Sequence, residues 1–220
     1  NLKVSYDQGA GAISKTLTGS TITAKCKTRI NNLKLDDGKV EVDYSHWMGQ
    51  LNPATKMSEL SMPGTGGSFS SGSNQSGYYK SQTMSFEDQW AKGIRAFEIV
   101  TCRQASSFAN EKLMCNKEVI NNSLTVSSVV TNVLAKLNEE DNEETAMLIF
   151  TYQPAGWYGR QPSTYMSRAM AYFNTLNPDD LVLFSPGLTL NDAKGKLMIV
   201  VRPTQNDEDE AGDWTSVKNA

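Results

Sequence analysis

One histidine, His46, is present among 220 residues, so a proton shuttle working near neutral pH has to draw on other groups. The side chains suited to chemistry or ligand contact are scattered along the chain. Glu98 stands in the apolar run Ala96 to Thr101. There a carboxylate can accept hydrogen bonds for the fold, act as a lone base, or give one oxygen to a cation such as calcium. Calcium normally needs several oxygen ligands, and the acidic run Asn138 to Glu144 matches no calcium-binding loop, so neither metal nor cofactor is expected. Arg103 and Lys117 can hold an anion or simply be solvated, and Asn116 can donate to a ligand hydroxyl or serve as a turn residue. In the stretch Gln153 to Arg160, Trp157 and Tyr158 lie beside Arg160. Such a group can stack on a sugar ring and bind an anionic substituent, or can cover the rim of a fold. Cys26, Cys102 and Cys115 are too few for a disulfide framework and show no CxxC spacing. Cys102 and Cys115 flank a short polar stretch that could close as a bridged hairpin; the alternative is three buried thiols.

The elements that must position these groups follow from periodicity. Residues 1–45 alternate polar and apolar positions, as in Ser20 to Lys27 and Lys39 to Tyr44, with a turn at Asp37-Gly38, and read as a β-rich N-terminal segment. From His46 to residue 220 strands alternate with helices, the mark of a parallel α/β sheet. Strands are expected at Glu59 to Pro63, Ala96 to Thr101, Thr145 to Tyr152, Asp180 to Phe184 and Leu197 to Arg202. A helix opens at Ser85 with Asp88 three residues on, as in a capping box, and Phe86, Trp90 and Ile94 supply its apolar stripe. Val126 to Leu137 and Thr164 to Thr175 read as two further amphipathic helices, and Asn138 to Glu144 as the solvated exit of the first. The Gly- and Ser-rich loop Gly64 to Gly77 is expected to be mobile, since such residues cost entropy to order.

Bulk composition narrows the partners. A net charge of -3 with a pI near 5.3 lacks the basic footprint of a nucleic-acid binder, so no nucleic-acid partner is expected. No apolar run is long enough to span a bilayer. The chain begins at Asn1, consistent with processing or trimming, and its Asn, Ser and Thr content leans towards a secreted, periplasmic or cell-surface protein.

Several motifs in order carry a resemblance. His46-Trp47-Met48 is followed by Met57-Ser58-Glu59-Leu60-Ser61-Met62-Pro63-Gly64-Thr65, then by Gln82-Thr83-Met84-Ser85, Gln89, and Gly93-Ile94-Arg95-Ala96-Phe97-Glu98-Ile99. Later comes Asn191-Asp192-Ala193-Lys194-Gly195-Lys196-Leu197-Met198-Ile199-Val200. Over about Ser45 to Arg202 the chain resembles the phosphatidylinositol-specific phospholipase C X-domain family, of the phospholipase C-like phosphodiesterase superfamily. The resemblance implies a (β/α) TIM barrel. It also implies attack of an inositol 2-hydroxyl on a phosphodiester, with one histidine taking a proton and a second giving one.

This chain departs from that pattern where the reaction would need it. Gly66 and Gly67 stand where the family has histidine and an acidic or amide residue; Glu98 and Val100 stand for its Asp-x-Arg; Asn116 stands for the second histidine. With one imidazole in the chain, a two-histidine mechanism is impossible in any register. Each lost acid or base group costs about 10² to 10⁴ in rate. The expectation is therefore a catalytically inactive pseudoenzyme that binds a small polyol, a glycan or a phospholipid head group. The rivals are a phosphoric diester hydrolase with a non-standard site at Glu98, Asn116 and Arg103, and a structural or protein-interaction module. A full barrel takes roughly 250 residues, so the barrel is expected to lack its last strands, with self-association able to complete it.

Overall fold

The computed structural model describes residues 2–7, 12–17, 34–36, 39–41, 43–72, 80–101, 105–116, 118–139, 142–152 and 162–202, the first four stretches and 162–163 as backbone. The N-terminal segment forms two separate antiparallel ribbons. β1 (Leu2–Asp7) pairs with β2 (Ala12–Leu17), and β3 (Lys34–Asp36) with β4 (Lys39–Glu41). The second ribbon flanks the expected Asp37-Gly38 turn, whose own residues lie outside the described set, as do Ser20 to Lys27.

The rest of the described chain is built on one six-stranded sheet. Its parallel part runs β5 (Gly64–Thr65), β6 (Ala96–Thr101), β9 (Ala146–Tyr152) and β10 (Leu197–Arg202), neighbours in that order. The far edge of β6 is shared. β5 takes its first two residues, and β7 (Leu113–Cys115) pairs antiparallel with Val100 and Thr101 before turning into β8 (Glu118–Val119). Among the described residues the sheet does not close, so this is an open, partial barrel.

Alternation along each strand sorts side chains to two faces. Phe97, Ile99, Leu148, Phe150, Tyr152 and Leu197 point outwards into the main core against α2 (Val126–Leu137) and α3 (Pro162–Phe173). Phe108 joins this layer edge-to-face with Phe150, Tyr165 and Phe173, at centroid separations of 5.6, 5.3 and 5.4 Å. Full burial of one such ring or aliphatic chain is worth about 1.5–3 kcal/mol. The predicted span of α2 is the observed one, opened by Thr125 and Ser128, each side chain bonding the other's N–H at 3.2 and 2.9 Å. α1 (Phe86–Ala91) starts as read: Ser85 Oγ accepts from the Asp88 N–H at 3.0 Å. α3 lies two residues earlier than its stripe suggested, ending in turns through Leu176. The short α4 (Leu190–Ala193), with its Thr189–Asp192 capping box, was not anticipated.

Two predicted strands are corrected. Glu59 to Pro63 is no strand: Met57–Glu59 is a 3-10 turn, and pairing begins only at Gly64, because Pro63 has no N–H for a ladder and its carbonyl instead takes the Arg95 and Ala96 N–H groups. Asp180 to Phe184 is no strand either. Asn177 caps the 3-10 turn Pro178–Asp180, and Leu181 makes a single parallel bridge to Leu197. The Val182 N–H donates to the Leu197 carbonyl at 3.0 Å, so the segment touches the outer edge of β10 at Leu197 and forms no ladder beyond it.

The N-terminal ends of the strands are closed by an ion pair where solvated charge was expected. Glu144 and Arg95 are both 0% exposed, with Nε to Oε2 at 2.8 Å. Glu144 Oε1 accepts the Met48 and Gly49 N–H groups at 2.9 and 3.3 Å, while Arg95 donates to the carbonyls of Ser45, Trp90 and Ile94 and lies 4.0 Å from the Trp90 ring. Burial holds the Glu144 carboxyl above its ordinary pKa and the Arg95 guanidinium below its own, each opposed by the other's charge. Asn142 is also buried, so the acidic run ends as an anchor and not as a solvated exit. Above this anchor a floor of Met48, Met57, Met62, Met147 and Met198 packs with Leu188, Leu190 and Ala193.

Candidate functional site

Opposite the floor, the strands deliver their remaining inward side chains to the C-terminal end of the sheet, where (β/α) barrels build sites. β6 contributes Glu98 and Val100, β9 Ile149 and Thr151, and β10 Val200 and Arg202. Register fixes two rows: Glu98, Ile149 and Val200, then Val100, Thr151 and Arg202. Val200, Ile149 and Glu98 keep part of their surface accessible, since among the described residues no further strand covers this face.

Glu98 is the centre of the group. Thr151 Oγ1 donates to its Oε1 at 3.4 Å, and Arg202 Nη1 stands 3.8 Å from the same oxygen. The latter distance is an ion pair without a hydrogen bond. The pair is open to solvent, with the Arg202 side chain 61% and that of Glu98 33% exposed. On the other side, a Cβ at Gly66 would lie 3.1 Å from Glu98 Oε2 and meet nothing else nearby. Removing the side chain at position 66 thus leaves one carboxylate oxygen reachable across bare backbone.

The loop carrying Gly66 opens the stretch Gly64 to Gly77 and is described through Gly72; residues 73–79 lie outside the described set. Ser68, Phe69 and Ser70 are buried; Ser68 N–H donates to the Glu98 carbonyl at 3.1 Å, and Gln82 Nε2 to the Gly66 carbonyl at 2.9 Å. Gly67 has φ +55°, and a Cβ there would meet Ser81 Oγ at 2.9 Å. Gly67 is therefore required by the backbone and by its neighbour, whereas Gly66 is an opening.

Of the residues singled out from sequence, Gly66 and Glu98 are brought together, and Val100 sits one register row above, packed with Met114 and Val119. Asn116 has φ +48° in the turn between β7 and β8, so it takes the turn role weighed for it. Cys115 is a free, buried thiol 3.0 Å from Ser81 Oγ. Arg103, Lys117, Trp157, Tyr158, Arg160, Cys26 and Cys102 lie outside the described residues. His46 sits in the turn fastened to Glu144 and Arg95, at the opposite end of the strands, with Nδ1 3.0 Å from Asp43 Oδ2. Among the described residues no three His, Cys, Asp or Glu side chains gather as metal ligands. Sequence reasoning missed Thr151 and Arg202. Both stand near the C-terminal ends of correctly read strands, and that position is the signal that could have found them.

No family model and no curated protein matches the sequence. Among solved structures, the chain is similar to phosphatidylinositol-specific phospholipase C from Staphylococcus aureus containing pentafluoro-phenylalanine, at 19% identity and TM-score 0.60, over 73% of this chain and 53% of that one. A structure of the same enzyme from work on its membrane binding gives 18%, 0.59, 73% and 53%. Phosphatidylinositol-specific phospholipase C from Listeria monocytogenes gives 20%, 0.54, 74% and 58%. The chain thus shares the mixed α/β, TIM-barrel-type fold of these phospholipases and spans about half of their length. Among the described residues, no helix is long and apolar enough to cross a membrane.

Proposed function

We propose that this chain is a divergent relative of the phosphatidylinositol-specific phospholipases C that binds a polyol-bearing ligand without cleaving it. One observation carries the reading. The C-terminal end of the sheet presents Glu98, Thr151 and Arg202 around the bare backbone of Gly66, while the chain's single imidazole is fixed at the opposite end of the strands. A carboxylate, a hydroxyl and a guanidinium on rigid strands can accept from and donate to ligand hydroxyls. They supply no pair of groups that exchange protons readily near neutral pH. In this reading residues 1–45 are a separate β-rich segment, residues 46–220 are the binding domain, and the protein works outside the cytoplasm or at the cell surface, as a polyol, glycan or phospholipid head-group binder.

Incubation of the purified protein with phosphatidylinositol and with cyclic inositol phosphate, with and without calcium, tests the inactivity. The expected result is no turnover above buffer. Turnover that disappears in Glu98→Gln would establish the rival reading, an active phosphodiesterase with a non-standard site.

A further inference from the structure

The two charges at the mouth decide which kind of polyol the site takes. We infer that the site selects a neutral sugar, held through adjacent hydroxyls, over a phosphorylated head group; this rests on the polyol-binding reading above. Glu98 and Arg202 are the charged side chains that the described inner face carries at this end, and they stand 3.8 Å apart. Their charges cancel locally. A phosphate entering there would gain from the guanidinium and be repelled by the carboxylate beside it.

A neutral diol suits the same pair. At 3.8 Å the two groups are too far apart to bond each other, yet a single hydroxyl oxygen about 2.8 Å from each can donate to Glu98 Oε1 and accept from Arg202 Nη1. The Arg202 guanidinium makes no hydrogen bond among the described residues, so its N–H donors remain available. A neighbouring hydroxyl then falls to Glu98 Oε2, the oxygen facing Gly66. Because a Cβ at Gly66 would lie 3.1 Å from that oxygen, even a methyl group there obstructs the approach. The bare position leaves room for a substituent on the sugar, such as a glycosidic neighbour. Gly66 is thus an aperture, and Glu98 the group beneath it.

Titration calorimetry or ligand-observed NMR with the 220-residue protein tests this, using myo-inositol, methyl mannopyranoside and inositol monophosphate as probes at low and high salt. A neutral probe is expected to bind with affinity unchanged by salt, since no net charge is neutralised on binding. Phosphorylation should bring no gain. Glu98→Gln and Arg202→Met should each weaken the neutral probe by about tenfold, one lost charge-assisted hydrogen bond. Gly66→Ala should weaken the methyl glycoside most. Gly187→Ala, in a loop where an added Cβ meets nothing, should leave binding and the melting temperature unchanged. Tighter, salt-sensitive binding of inositol monophosphate would overturn the neutral-sugar assignment and leave polyol binding standing. Unchanged affinity in Gly66→Ala, with the fold intact by its melting curve, would remove the aperture. Failure of all three probes to bind would remove the polyol reading itself, and this assignment with it.

Discussion

At the scale of single residues, Glu144 and Arg95 show how far a side chain's role can stand from its look in sequence. Glu144 ends an acidic run and became the buried acceptor that fastens residues 45–49 to the strand ends. Arg95→Met leaves that carboxylate without its partner, and breaking a buried pair from one side costs about 3–5 kcal/mol. Urea unfolding of this variant should show the loss as a shifted midpoint with an unchanged slope. Because burial raises the folded Glu144 pKa above 4.5, its contribution to stability is fullest below 4.5 and is lost as pH rises through the folded value. Asp192 has the opposite sign: hydrogen bonds from Thr189 depress its carboxyl below 3.8. Its contribution is present above 3.8 and is lost as pH falls through the depressed value. Asp192→Asn should therefore flatten the acid limb of a stability profile, and Glu144→Gln the limb above 4.5, both read from midpoints measured across pH. Gly67→Ala should cost at least 1–2 kcal/mol for its left-handed backbone, with the Ser81 contact adding to it; a matched thermal melt checks the direction.

At the scale of elements, legibility followed locality. The core of β6, β9 and β10 and the whole of α2 were readable because apolar alternation and an apolar helical stripe lie within one short window each. Glu59 to Pro63 misled because its alternation of Leu60 and Met62 with Glu59 and Ser61 looks like a strand until Pro63 removes a donor and the Arg95 N–H claims its carbonyl. Asp180 to Phe184 misled because strand-like composition does not say whether a segment forms a ladder; this one meets the outer edge of β10 at Leu197 and forms no ladder beyond it, leaving Leu183 and Phe184 exposed. The site shows the same limit. Glu98 could be named from its place in a strand, but its approach to Arg202 depends on the register of three strands, which no local pattern encodes. For α2, Thr125→Ala should cost about 1 kcal/mol through the lost cap, seen as a lower melting temperature with the helical spectrum retained.

At the scale of the whole molecule, the sheet stops at four parallel strands, and the edge of β10 beyond Leu197 has no ladder partner among the described residues. Leu183 and Phe184 beside it are 69% and 58% exposed, and Val200 is accessible on the inner face. An unpaired edge with apolar neighbours favours pairing with another chain. The 220-residue protein is therefore predicted to self-associate with rising concentration in sedimentation velocity, and Phe184→Lys to weaken it. A constant monomer mass across dilution would refute this.

The floor beneath the site has a chemical consequence of its own. It is lined by five thioethers, which are soft enough to fill an irregular gap and are also the side chains most readily turned into sulfoxides by peroxide. Thioethers also stand on the helical side, where Met166 and Met170 of α3 are half-buried, whereas Met48, Met57 and Met198 of the floor are buried. Peroxide should accordingly reach Met166 and Met170 of α3 and the half-buried Met62 and Met147 first, and only later the buried thioethers whose conversion would loosen the seat of the strands.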